Sequence, residues 1–102
     1  MKYQLVVQWA AASLGDYDRM IAIETRIIDG LGNDAEVDGH DAGSGEVNIF
    51  VHTDLPGRTF ERIRSILASE SALVGARVAY REMTADDYTV LWPKGLTTFK
   101  VA

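Results

Sequence analysis

The chain has no cysteine. Disulfides, thiolate zinc sites, iron–sulfur clusters and a cysteine nucleophile are therefore excluded. Histidine occurs only twice, at His40 and His52, so any site with more than one imidazole must use both. Proline also occurs twice, at Pro56 and Pro93, and no Pro-, Gly- or Ser-rich linker divides the 102 residues. Basic residues are the minority, ten Lys and Arg against fifteen Asp and Glu, for a formal charge of -5 and a pI near 4.8. Sequence-independent binding of nucleic acid needs a basic surface that displaces counterions from phosphates, so nucleic acid is not an expected partner. No apolar run approaches the ~20 residues of a membrane span. The opening MKYQLVVQWAAAS has the lysine and small residues of a secretory signal. Its apolar stretch, however, is only Leu5-Val6-Val7 between Gln4 and Gln8, against the roughly 7–15 apolar residues such a signal requires. Neither a lipidation nor a glycosylation motif is present. The expectation is a soluble, cytoplasmic protein of bacterial type with no membrane contact.

What is present is an ordinary globular composition, 47% hydrophobic and 25% charged. It suits one domain over residues 1–102, with room for one core. Residues 2–9 alternate, with Tyr3, Leu5, Val7 and Trp9 on one face and Gln4, Val6 and Gln8 on the other. That period of two predicts a strand. Ser13 with Asp16 reads as a variant capping box. Tyr17, Met20, Ile21, Ile27, Ile28 and Leu31 then recur at helical spacing. Gly30, Gly32 and Asn33 are expected to end that helix in left-handed conformation. A short polar strand is predicted over residues 36–40, a turn over 41–45 and a clear strand over 46–53. Asp54 is the expected N-cap of a second helix, with Pro56 in its first turn and Phe60, Ile63, Ile66 and Leu67 as its apolar stripe. Strands over 76–83 and 88–92 follow, joined by a turn at residues 84–87.

The order strand, helix, strand, strand, helix, strand predicts a ferredoxin-like βαββαβ α+β domain. Two helices then cover one face of an antiparallel sheet, with an extra C-terminal hairpin strand. In such a layout Gln4, Val6, Gln8, Asp38, His40, Glu46, Asn48, Phe50, His52, Arg77 and Arg81 lie on the face away from the helices. Burying such charges unpaired costs several kcal/mol each. That face is thus expected to be solvated, paired across strands (Arg77 and Arg81 with Glu46 or Glu82) or covered by a partner. The assignment depends on strand parity, which one bulge inverts. Stacking of RNA would need several aromatic residues there, and Phe50 stands alone.

The densest group of reactive side chains is DAEVDGHDAGSGE, residues 34–46. It departs from a calcium loop, because the closing glutamate position is Gly45 and a strand follows. Asp38, His40, Asp41 and Glu46 offer the imidazole and carboxylates of a transition-metal site, yet two histidines are few for one. Ser44 sits between two glycines and two strands, unlike the strand-to-helix elbow of a hydrolase nucleophile. Gly39, Gly43 and Gly45 allow positive φ in a bulged hairpin, and acids blunt an edge strand against association. No cofactor and no metal are expected.

The segment VDGHDAGSGEVNIFVHT, with Leu14-x-Asp16-Tyr17-Asp18 before it and VAYRE and LWP after it, resembles a family of small bacterial ferredoxin-like proteins of about this length. That family carries a VDGHDxGSGExNIF segment and has no known activity. The resemblance implies the fold and carries over no catalytic residue.

Two functions of different class remain. The first is a non-enzymatic protein-interaction module, comparable in size and charge to immunity proteins. It would use the open sheet face or the acidic hairpin, through Asp38, His40, Asp41, Glu46, Asn48, Phe50, His52, Arg77 and Arg81. The second is a small homodimeric enzyme or anionic-ligand-binding protein with an apolar-floored cavity at Val6 and Phe50. There His52 or His40 is the candidate base and Arg77 or Arg81 holds the anion. The expected partner is another protein or a second copy of the chain.

Overall fold

The computed structural model describes residues 1–14 and 17–101, the side chains of residues 13 and 14 excepted. The expected capping box at Ser13 and Asp16 lies outside the described residues. The elements run β1 (Tyr3–Ala10), α1 (Ala11–Leu14), α2 (Tyr17–Gly30), β2 (Ala35–Gly43), β3 (Glu46–Thr53), α3 (Pro56–Ser69), β4 (Arg77–Glu82) and β5 (Thr89–Trp92). The strands form one antiparallel sheet in the order β2-β3-β1-β4-β5. The α+β class with two long helices is as expected. The plan is compatible with a ferredoxin-like domain, and β5 lengthens the sheet beyond β4, so the five-strand order is not that of a plain four-stranded one.

Sequence alternation builds the helix-side core. Leu5, Val7 and Trp9 of β1 pair with Val51, Ile49 and Val47 of β3, and Leu5 and Val7 pair with Tyr80 and Val78 of β4. These strand residues pack in one cluster with Met20, Ile23 and Ile27 of α2 and Phe60, Ile63 and Leu67 of α3. Each fully buried aliphatic side chain contributes roughly 1.5–3 kcal/mol. Trp9 fits because its indole N–H donates to the Ala72 carbonyl at 2.9 Å, leaving no polar atom unpaired.

The helix ends depart from expectation in two places. Asp54 does not cap α3; its carboxylate accepts the backbone N–H of Lys2 at 2.9 Å. Leu55 holds the N-cap position, and its N–H donates to Thr53 Oγ1 at 3.0 Å. Thr53 also shares a 2.7 Å bond with Thr59, so one buried hydroxyl ties β3 to the first turn of α3. Pro56 fixes the start of the helix at its first position, so Leu55 is the N-cap, and it makes no side-chain cap bond. Gly30 and Gly32 do not have positive φ. A Cβ on Gly30 would lie 2.6 Å from Ile66 Cδ1, and one on Gly32 would lie 2.7 Å from an Arg62 guanidinium nitrogen, in both cases the movable end of a side chain.

The face away from the helices is not open. Val6, Gln8, Asn48 and Ala79 all lie on it, and each is at most 1% exposed. Gln8 explains the cover. Its side-chain N–H groups donate to Asn48 Oδ1 at 3.0 Å and to the Lys100 carbonyl at 2.8 Å. The chain near its C-terminal end therefore returns to this face at Lys100, and Phe99 packs on Tyr88 with ring centroids 5.0 Å apart. Arg81 holds the neighbouring loop by donating to the carbonyls of Glu82, Met83 and Ala85 at 3.0–3.2 Å.

Candidate functional site

The hairpin β2–β3 is longer and tighter than its sequence suggests. β2 continues through Gly43, and the connection is only Ser44-Gly45. Both have positive φ, 54° and 77°, the handedness a two-residue hairpin turn demands of its central pair. Gly43, expected to share that conformation, does not.

A bulge decides where the reactive groups point. Val37 pairs with Val51, Gly39 with Phe50 and His40 with Ile49, so Asp38 and Gly39 together face one residue of β3. Gly39 has φ of 149°, a value open to glycine and poor for other residues. The extra residue inverts parity. Val37 and His40 both come to the helix side, opposite Val51 and Ile49. The expectation that Asp38 and His40 share a face is thus corrected: they lie on opposite faces, and Asp38, His40 and Glu46 do not form one ligand set. No group of three or more His, Asp or Glu suited to a metal ion occurs among the described residues.

On the helix side His40 is held at both ring nitrogens. Nδ1 meets the Glu24 carboxylate at 2.9 and 3.1 Å, and Nε2 meets Tyr17 Oη at 2.7 Å. The carboxylate only accepts, so Nδ1 carries the proton. In the neutral ring Nε2 then accepts, and the tyrosine donates. Glu24 is 12% and His40 26% exposed, whereas Tyr17 is 54% exposed. Tyr17 and Glu24 are missing from the residues nominated by sequence, where Tyr17 counted as part of the apolar stripe. The available signal is their spacing: seven residues are two helical turns, which puts both on one stripe of α2 about 10 Å apart.

The remaining nominated residues are distributed around the other face. His52 Nε2 lies 3.6 Å from Asp38. Arg77 pairs with Glu46 at 3.4 Å, the cross-strand pairing expected of it. Arg81 donates from Nε to Gln4 at 3.1 Å in addition to its loop contacts. Asn48 is buried against Gln8, and Phe50 is half-buried. Asp41 is exposed on the hairpin. With Val6 fully buried, the expected apolar floor is occupied rather than facing a cavity. A surface depression instead lies at Met1, Lys2, Tyr3, Glu82, Met83 and Thr84, lined by none of the nominated residues.

No helix among the described residues is long and apolar enough to cross a membrane. No family model, no curated protein and no solved structure matches the chain.

Proposed function

We propose that this ferredoxin-like domain is a non-enzymatic interaction module of the bacterial cytoplasm, and that it docks a basic protein surface along the β2 edge and its hairpin. One observation carries the reading. β2 is a nine-residue strand at the sheet edge, and Glu36, Asp38 and Asp41 are all exposed along it. An edge presents unpaired backbone N–H and C=O groups, and the carboxylates and the bulge discourage pairing with a second acidic copy. A partner strand or loop bearing Lys or Arg would satisfy both the backbone groups and the charge. The buried centre of the other face supports placing the contact at the edge rather than on the sheet. The resemblance through VDGHDxGSGExNIF extends the proposal to the related small bacterial proteins.

The test is quantitative affinity capture from native lysate with the wild type and with Asp38→Lys/Asp41→Lys, followed by titration of the purified partner at two salt concentrations. A protein lost from the variant and bound more weakly at high salt is the expected result. A partner captured equally by both proteins would remove the acidic edge from the account, and retention of no protein but the chain itself would point to self-association.

A further inference from the structure

The Glu24–His40–Tyr17 array has no part in edge docking, and it has a geometry of its own. Three features combine in it. The carboxylate fixes the tautomer of the imidazole, the imidazole presents its acceptor nitrogen to a phenol at 2.7 Å, and the phenol is the most exposed member. A nucleophile hydrogen-bonded to a base that a third group orients is the general form of an activated nucleophile. The bulge adds a second indication. Without the Asp38–Gly39 insertion His40 would face away from α2, so a glycine with φ of 149° is spent on bringing the imidazole to the tyrosine.

We propose that Tyr17 is an activated nucleophile toward acyl donors, with His40 as its base and Glu24 as a positioning residue. The phenolic proton passes to His40 Nε2 as Oη attacks the carbonyl carbon of an ester. The new C–O bond forms, the tetrahedral centre collapses, and the bond to the leaving alkoxide or phenoxide breaks. That group departs with the electron pair and takes the proton from His40 or from water. The product is an O-acyl-tyrosine at position 17, a stoichiometric acylation of the chain itself. The other three tyrosines, Tyr3, Tyr80 and Tyr88, are all half-buried, which makes Tyr17 the phenol best placed to meet a substrate.

The probe is p-nitrophenyl acetate, with peptide mapping by mass spectrometry to locate the acetyl group. N-acetyltyrosinamide serves as the reference phenol at the same pH. Acetylation of Tyr17 is expected at least about tenfold faster than that of the reference, a modest share of what a positioned base supplies. His40→Gln should bring the Tyr17 rate down to the reference, with circular dichroism verifying the fold. Glu24→Leu, which removes the acceptor, is read separately by 15N NMR of His40: the wild type holds the proton on Nδ1, and the variant loses that preference. A Tyr17 rate equal to the reference, an acetyl group confined to His40 or lysines, or an unchanged rate in folded His40→Gln would each overturn the proposal. These outcomes are independent of whether Asp38 and Asp41 dock a partner.

Discussion

The two faces of the sheet are both covered at their centres, by different chemistry. Under the helices the cover is apolar: Leu5, Val7, Trp9, Ile49, Val51 and Val78 meet the aliphatic stripes of α2 and α3. On the other face the cover is an irregular segment, and its anchor is an amide. Gln8, 1% exposed, satisfies Asn48 and the Lys100 carbonyl at once. The first face gains stability with each methylene it buries. The second gains less from apolar area and depends on every polar atom finding a partner, and no described buried side-chain nitrogen or oxygen lacks one. A sheet face that reads as polar is therefore not by itself a binding surface; a short stretch of the same chain is enough to cover its centre.

Substitutions that act on one face at a time sharpen this contrast. Ile63→Ala removes a fully buried side chain from the helix side and should cost about 2–5 kcal/mol in urea unfolding. On the opposite face Gln8→Ala leaves Asn48 Oδ1 and the Lys100 carbonyl without their donor. A loss of about 1–3 kcal/mol is expected, accompanied by faster amide exchange confined to residues 94–101. Equal losses spread over the whole domain would erase the distinction between the two covers. Gly39→Ala forces a side chain into the bulge conformation, at about 1–3 kcal/mol, with open space around its Cβ. Its diagnostic is the His40 15N signal, which should lose the imprint of Glu24. Smallest is Glu46→Gln, which weakens a partly exposed pair with Arg77 and should shift stability by about 0.2–1 kcal/mol.

The fold was largely legible because its strands alternate cleanly. Odd positions of β1 and the Val47, Ile49, Val51 set of β3 predict the core face without ambiguity. The pairing of Arg77 with Glu46 was legible too, since opposite charges on one polar face have few other partners. The position of His40 was not. Its parity depends on one extra residue in the ladder, and Gly39 signals that a bulge is possible without fixing where it falls. The cover at Phe99 and Lys100 was hidden for another reason. The segment has no periodicity, and its anchor is a backbone carbonyl, a group every residue shares. Asp54 misled because it has the residue type of a cap, while Thr53 one position earlier holds the hydroxyl that bonds the Leu55 N–H.

The most direct test of the covered second face is a nuclear Overhauser measurement on the Gln8 side-chain amide. The account predicts cross-peaks from its protons to the backbone of Lys100 and its neighbours, with slow exchange of the amide with water. Random-coil shifts throughout residues 94–101, with no contact to Gln8, would contradict it and return Val6, Asn48 and Phe50 to solvent as a surface open to ligands.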